Sequence, residues 1–264
     1  MSETKTFEEL FLVNSKEENL KVNHLKILII NNINSNYMYL IKLKEWQIKH
    51  QEYFDYLFFI GNFLSPSENK NKNDIKEICN DEAEIGALLS YLENLSLNII
   101  YIGGDNDTPT IFKEPYPSLT LKSINLHQKY HKLAEDLYII GYGGNIVIDS
   151  LKNTFINFKD YIKDNVNMNN IQTIFISNDS KYYNNNLFND KKDKIYENIV
   201  KNDNNIFLNL NGNINMKKGN KNRGNITILY PVSFCQGEFT VLILERNNDI
   251  NNSWKIKTID YLII

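Results

Sequence analysis

The sequence predicts an α/β protein built from two β-sheets with helices packed outside them. In the first half, short apolar runs typical of buried strands alternate with longer segments that have a helical period. After residue 225 the chain instead carries three strand-like runs in succession. The apolar runs also stop abruptly in polar residues. In open α/β sheets ligands lie outside the carboxyl ends of the strands, so we expect these ends to converge on one cleft.

The first half is predicted to alternate between strands and helices. Residues 26–30, 56–60 and 98–102 are continuous apolar runs, as expected for strands buried on both faces. Between them, residues 37–50 and 75–96 place apolar side chains at helical spacing. This alternation predicts right-handed crossovers and therefore a parallel sheet.

The second half is predicted to contain more strands than helices. The predicted helices cover residues 150–164 and 195–200, and the predicted strands cover residues 119–124, 137–140, 173–177, 206–210, 225–230, 239–244 and 255–263. The glycine-rich residues 141–144 match neither the dinucleotide-binding nor the P-loop fingerprint, so we predict a tight turn.

Two polar stretches are predicted to carry no chemistry. His127 and His131 are four residues apart, a spacing that can bind metal on a helix, but their polar neighbours favour an exposed polar helix. Residues 216–223, MKKGNKNR, are predicted to form a solvated basic loop.

Length and composition favour a single domain. The chain has 264 residues, 42% of them hydrophobic, and no linker rich in Pro, Gly or Ser separates its strand-like runs. We therefore predict one domain over residues 24–264. Residues 1–23 are predicted to be a tail or a short helix in front of it.

Charge and hydropathy argue against two classes of partner. The net charge of -3 gives no electrostatic case for nucleic acid, which needs a basic face. No window approaches the roughly 20 apolar residues of a membrane span. Two cysteines, Cys79 and Cys235, are too few for a disulfide framework and fit a reducing compartment. We expect a cytoplasmic protein.

The polar strand ends are rich in asparagine. Asparagine makes up about one residue in six of the whole chain. The ends of interest are Asn32-Ile33-Asn34, Gly61-Asn62, Gly104-Asp105-Asn106-Asp107, Ser177-Asn178 and Gly212-Asn213-Ile214-Asn215.

The order and spacing of these ends resemble the calcineurin-like metallophosphoesterase superfamily over residues 24–262. In that family the corresponding motifs are Asp-x-His, Gly-Asp, Gly-Asn-His-Asp/Glu, Thr-His and Gly-His-x-His, and a closing Asn-Pro-Gly-Ser turn aligns with Tyr230-Pro231-Val232-Ser233. The resemblance implies a two-sheet α-β-β-α sandwich of the calcineurin-like phosphoesterase type.

The resemblance also implies a metal site that this chain has lost. In the family, two divalent cations such as Mn or Fe/Zn are held at these positions and activate a water for attack on a phosphoester. The degenerate positions here are Asn32, Asn34, Asn62, Asp105, Asn106, Asn178, Asn213 and Asn215. An amide is neutral and transfers no proton near neutral pH. We therefore expect no intact metal site, no catalytic residue and no cofactor, with at most one weakly bound ion at Asp105 and Asp107.

Loss of selection for catalysis, followed by single-base drift, explains the asparagines most simply. Seven aligned asparagines exceed what a background of about one in six supplies, and a single base change converts a His or Asp codon into an Asn codon. Loss of selection for catalysis followed by such changes would keep the fold. The alternatives are a purposeful Asn-lined pocket for a polar ligand, a shifted alignment, or an unusual active site.

The sequence thus suggests three functions. The first is a catalytically inactive pseudophosphatase that binds a protein partner; the superfamily offers a precedent in a retromer subunit that uses this fold as a scaffold. The second is a divergent metal-dependent phosphoesterase, hydrolysing a phosphomonoester or phosphodiester with Asp105, Asp107 and asparagine carbonyls as ligands. The third is small-molecule binding in a neutral cleft.

Overall fold

A computed structural model describes most of the chain. The described residues are 22–66, 74–112, 123–144, 148–165, 171–178, 205–212, 217–247 and 253–264. Nearly all of the predicted tail over residues 1–23 lies outside them, as do the predicted helix over 195–200 and most of the predicted strand over 119–124. Asn213 and Asn215 also lie outside the described residues.

Strands and helices within the described ranges follow one another in this order: β1 (His24–Ile30), α1 (Tyr37–His50), β2 (Tyr56–Ile60), α2 (Ile75–Glu93), β3 (Ile99–Ile102), β4 (Ser123–Asn125), β5 (Lys129–Ala134), β6 (Leu137–Tyr142), α3 (Ile148–Asn165), β7 (Gln172–Ser177), β8 (Ile206–Asn211), β9 (Gly219–Arg223), β10 (Ile226–Tyr230), β11 (Glu238–Arg246) and β12 (Trp254–Ile263). Short 3₁₀ helices cover Pro109–Phe112 and Phe234–Gln236. Among the described residues, no helix combines the length and the apolar character that a membrane crossing requires.

The strands form two mixed six-stranded sheets. The first sheet has the order β12-β11-β1-β2-β3-β4, and the second has the order β5-β6-β7-β8-β10-β9. Strands β1 to β4 are parallel, while β11 and β12 extend the first sheet in antiparallel fashion. In the second sheet β6, β7, β8 and β10 are parallel, and β5 and β9 are antiparallel edge strands. Both sheets therefore have a parallel centre whose carboxyl ends can carry a site.

Three apolar clusters hold four layers together. One cluster packs α1 and α2 on the outer face of the first sheet, a second fills the space between the sheets, and a third packs α3 on the outer face of the second sheet. Alternate residues of one strand serve different layers, since Leu57 and Phe59 face the helices and Phe58 and Ile60 face the other sheet. The result is the predicted α-β-β-α sandwich.

Helical periodicity explains which faces of the helices are buried. In α2, Ile85, Leu88, Leu89 and Leu92 are spaced for one face and are all buried. Asp74 caps this helix, because its side chain accepts a hydrogen bond from the main-chain N–H of Lys76 at 2.8 Å.

Two of the sequence predictions are wrong. The segment around His131 is not a helix but the strand β5, which pairs with β6 across the turn at Glu135 and Asp136. Residues 219–223 of the predicted basic loop form the strand β9, which pairs with β10. Both are polar edge strands, and main-chain pairing with an apolar neighbour forms them without an apolar run of their own.

Candidate functional site

The carboxyl ends of β1, β2 and β3 meet those of β7 and β8 across the two sheets. The clearest link is the side-chain Nδ2 of Asn178, which donates to the main-chain oxygen of Ile60 at 2.6 Å. The same Nδ2 lies 3.4 Å from the main-chain oxygen of Gly212, at the end of β8. One buried amide thus contacts the ends of strands from both sheets, and the strand ends surround a common site.

Asn32 and Asn62 form a direct amide pair at the ends of β1 and β2. Nδ2 of Asn62 donates to Oδ1 of Asn32 at 2.6 Å, and both side chains are buried. These are the two positions at which the resemblance places aspartates. Two carboxylates at this separation would repel each other unless a proton or a cation lay between them, whereas two amides need neither.

The backbone at these two ends has an unusual conformation. Asn32, Asn34, Ser35 and Asn62 all have positive φ, between 49° and 59°. Asparagine tolerates the left-handed region better than most residues with a side chain. The two loops are held in parallel by main-chain bonds, in which Asn32 donates to Gly61 at 3.1 Å and Asn34 donates to the main-chain oxygen of Asn62 at 3.1 Å.

The end of β3 contacts the same pair through Asn106. The main-chain N–H of Asn106 donates to Oδ1 of Asn62 at 3.1 Å. Asn62 therefore uses its amide nitrogen toward β1 and its amide oxygen toward β3. Asp105, the preceding residue, is half-buried at this end.

Asp107 connects the loops after β2 and β3. Its Oδ1 accepts from the main-chain N–H of Leu64 at 3.0 Å, and its Oδ2 accepts from that of Gly104 at 2.7 Å. The side chain is almost completely buried, and this desolvation raises its pKa from 3.8 to about 6, although the main-chain N–H groups act in the opposite direction. Both carboxylate oxygens are engaged by main-chain donors.

Glycine is required where the strand ends approach each other most closely. A Cβ at Gly104 would collide with Oδ1 and the main-chain nitrogen of Asn62. A Cβ at Gly61, which has a φ of +78°, would collide with the amide of Asn178. The asparagine side chains thus lie directly against the main chain of the neighbouring ends.

Three buried amide atoms at the end of β1 have no hydrogen-bond partner among the described residues. They are Nδ2 of Asn32, a donor, and Oδ1 of Asn31 and of Asn34, which are acceptors. Buried polar groups are normally satisfied, and ordered water or a small polar molecule would satisfy them.

Two further residues, Asn31 and Cys235, adjoin this site. Asn31 is buried beside Asn32, and its main-chain oxygen accepts from the N–H of Phe234 at 2.7 Å. The main-chain N–H of Cys235 donates to Asn32 at 3.0 Å, and its Sγ lies 3.2 Å from Oγ of Ser233. The segment after β10 therefore closes the side of the β1 end, as the position of the closing turn in the resemblance suggests.

The described residues place too few acidic and imidazole side chains together at these strand ends to hold a metal ion. Within the ranges described above, no group of three or more His, Cys, Asp or Glu side chains is placed to hold a metal ion. His127 lies instead beside the glycine-rich turn, where its Nδ1 accepts from the main-chain N–H of Gly143 at 3.1 Å. That turn approaches β3 closely, since Gly144 donates to the main-chain oxygen of Gly103 at 3.1 Å.

Comparison with known proteins gives matches in structure only. No protein-family model matches the chain, and no curated protein matches it in sequence. A solved crystal structure matches with 18% identity and a TM-score of 0.61 over 91% of this chain and 99% of that chain. TT1561 of Thermus thermophilus matches with 16% identity and a TM-score of 0.59 over 90% of this chain and 98% of that one. An archaeal phosphodiesterase, 14% identical, covers 91% of this chain and 100% of its own with a TM-score of 0.38.

The two matches with TM-scores of 0.61 and 0.59 cover nearly the whole chain, and at such low identity they concern the fold alone. They agree with the two-sheet architecture described above. The chain has the calcineurin-like phosphoesterase fold.

Proposed function

We propose that this chain is a catalytically inactive metallophosphoesterase-like protein that acts as a binding or scaffold module for a protein partner. The observation that carries the proposal is the 2.6 Å hydrogen bond from Nδ2 of Asn62 to Oδ1 of Asn32. It occupies the two positions where the resemblance places the aspartates that hold the cations.

The chemistry of the donors supports the loss of catalysis. Two-metal hydrolysis depends on anionic ligands that neutralise adjacent dications and on a bound water that loses its proton. Asn32 and Asn62 supply neutral amides, and one of the two amide oxygens already accepts from the other side chain. Residues of this kind do not fit a pair of divalent cations.

The remaining carboxylates do not replace the lost ligands. Asp107 is the deeper of the two, and both of its oxygens accept main-chain N–H groups. Ligation of an ion by Asp107 would break the bonds that hold the loops after β2 and β3. Asp105 on its own provides one carboxylate, which falls short of a two-metal centre.

The intact fold supports a role that is not catalytic. Most substitutions destabilise a protein, so a chain that had lost every role would be expected to lose its packing. The strand centres here are instead buried on both faces, as Phe58 toward the other sheet and Phe59 toward the helices illustrate. Binding of a partner is a role that needs the fold and not the metal ligands.

Metal analysis together with a turnover assay tests the catalytic half of the proposal. The full chain, purified without chelator, is assayed for bound metal and for hydrolysis of bis(p-nitrophenyl) phosphate in Mn²⁺. We expect substoichiometric metal and a rate equal to that of the buffer with Mn²⁺. Stoichiometric metal with a turnover that Asp105→Ala abolishes, while Asn80→Ala on the exposed face of α2 leaves it unchanged, would establish the divergent metal-dependent phosphoesterase instead.

Size-exclusion chromatography tests the binding half. In an extract of the native source, the chain should elute well above its own mass of 31.0 kDa, whereas the purified chain defines its elution without a partner. Elution of both at the same volume would contradict a protein-binding role. Thermal stabilisation of the purified chain by a small-molecule fraction of the extract, without added metal, would favour a ligand site at Nδ2 of Asn32 and Oδ1 of Asn34, which have no partner among the described residues.

A further inference from the structure

The strand ends of the site are linked by hydrogen bonds that asparagine side chains make. Asn62 links β1 to β2 through Oδ1 of Asn32 and links β2 to β3 through the main chain of Asn106. Asn178 links β7 to β2 and β8 through Ile60 and Gly212. Every link joins the ends of different strands, and one of them joins the two sheets.

We infer that these amides form a metal-free tie that holds the strand ends together in place of bound cations. The inference rests on the proposed function in one respect, namely that amides and not metal ligands occupy the ends. It goes further in giving Asn32, Asn62 and Asn178 a structural role. Under this inference the asparagines are not inert remnants, and the folded state needs no metal.

The donor and acceptor pattern explains why asparagine suits the role. An amide donates through its nitrogen and accepts through its oxygen, whereas a carboxylate only accepts. Asn62 uses both capacities, donating to Asn32 and accepting from Asn106. Two carboxylates at positions 32 and 62 would present acceptors to each other, and the tie would need a cation between them.

This pattern predicts that the two positions are coupled. With Asn32→Asp alone, the new carboxylate still accepts from Nδ2 of Asn62. With Asn62→Asp alone, a rotation of the Asn32 amide presents its Nδ2, which has no partner among the described residues, to the new carboxylate. Only the double variant leaves two acceptors in contact with no donor between them. The double variant should therefore lose more stability than the two single variants lose together.

A thermal unfolding cycle on the full chain in EDTA tests the coupling. We expect the melting temperature of the N32D/N62D variant to fall by at least about 5 °C more than the sum of the two single shifts. Replacement of the EDTA by 1 mM Mn²⁺ should raise the melting temperature of the double variant and leave that of the wild type unchanged. Additive shifts, or a wild type that Mn²⁺ stabilises, would overturn the inference.

Asn178→Asp provides a second measurement if the double variant does not fold. It keeps the size of the side chain but turns a carboxylate toward the main-chain oxygens of Ile60 and Gly212. Its melting temperature in EDTA should fall by several degrees relative to Asn80→Asp, an exposed control on α2. An equal effect of the two substitutions would overturn the structural role of Asn178.

The outcomes separate this inference from the proposed function. Additive or negligible shifts would remove the tie but leave the absence of turnover as it was measured. Turnover by the wild type with stoichiometric metal would remove the proposed function whatever the unfolding cycle gave.

Discussion

Asn178 donates from its side chain to the main-chain oxygen of Ile60 at 2.6 Å, and this bond joins the end of β7 in the second sheet to the end of β2 in the first. The two residues are 118 positions apart in the chain. Apolar packing fills the space between the sheets, but it does not fix how their carboxyl ends meet. The hydrogen bond between Asn178 and Ile60 fixes how these ends meet, because a hydrogen bond requires a narrow range of distance and orientation.

Replacement of Asn178 by leucine should destabilise the fold. Leucine has the same side-chain branching but leaves the buried oxygen of Ile60 without this donor, which costs about 1–3 kcal/mol. Urea unfolding followed by circular dichroism measures the difference from the wild type. Asn80→Leu, on the exposed surface of α2, serves as the control. Similar midpoints for the two variants would show that the bond contributes nothing measurable.

Replacement of Gly104 by alanine should also destabilise the fold, and for a steric reason. The added Cβ would overlap the side chain and main-chain nitrogen of Asn62, and main-chain atoms cannot move away as a flexible side chain can. Overpacking of this kind costs about 1–3 kcal/mol. The free energy of unfolding in urea again provides the measurement.

Gly86→Ala is the matched control for that substitution. Gly86 lies inside α2, and apart from its chain neighbours and the helix's own backbone no described atom lies within 4 Å of the position that its Cβ would take. Alanine there should stabilise the helix by about 0.5–1 kcal/mol. The two glycine variants should thus change stability in opposite directions. A loss of the same size at Gly86 would mean that the effect at Gly104 is not due to its contact with Asn62.

The sequence was sufficient for the parts of the fold that rest on apolar periodicity. Residues 56–60 and 37–50 have the predicted bounds, because a buried strand and an amphipathic helix each leave a pattern in side-chain type. The strand β9 has no such apolar pattern. Its residues Gly219–Arg223 are polar, and only pairing with β10 makes them a strand. Edge strands of this kind are determined by their neighbours rather than by their own residues.

The same distinction applies to the site. The sequence predicted that the polar ends of parallel strands meet, and the structure brings Asn32, Asn62, Asn106 and Asn178 together. It could not predict which amide atom donates to which, because that depends on side-chain rotation. Nor could it predict that Asp107 accepts two main-chain N–H groups, because Leu64 is 43 residues away in the chain.

The stability of the fold should fall as the pH rises through the pKa of Asp107. Burial raises the pKa of this carboxyl from 3.8 to about 6, so folding favours its protonated form. The resulting contribution to stability is complete below the ordinary pKa of 3.8 and is lost as the pH rises through about 6. Its size is about 3 kcal/mol, at about 1.4 kcal/mol for each pKa unit.

Comparison with Asp107→Asn isolates this contribution from other titrating groups. The amide does not titrate, and it costs a constant amount because its single oxygen cannot accept from both Leu64 and Gly104. The stability advantage of the wild type over the variant should therefore shrink by about 3 kcal/mol between about pH 4 and pH 7. Urea unfolding of both proteins across this range gives the difference, and a difference that is independent of pH would contradict the assignment.

Among the substitutions considered, Asp136→Ala should lower the free energy of unfolding most. Asp136 lies in the turn between β5 and β6, at the edge of the sandwich opposite the site, where it contacts Arg246 of β11. The guanidinium donates to both carboxylate oxygens, at 2.7 and 2.6 Å, and Nε1 of Trp254 donates to the same carboxylate at 2.8 Å. The side chain of Arg246 is only 3% exposed. Asp136→Ala would leave a buried cation without its anion, which costs about 3–5 kcal/mol.

A comparison with an exposed ion pair separates the effect of burial on stability from the effect of charge alone. Lys152 and Asp149 form an ion pair at 4.0 Å on the surface of α3, and Lys152→Ala should change stability by less than about 0.5 kcal/mol. Joint replacement of Asp136 and Arg246 by Leu and Met should cost less than Asp136→Ala alone, because no unpaired charge is then buried. Urea unfolding of the variants gives both comparisons. If the double replacement lowered stability more than Asp136→Ala does, the ion pair would itself stabilise the fold rather than only avoid the penalty of a buried unpaired charge.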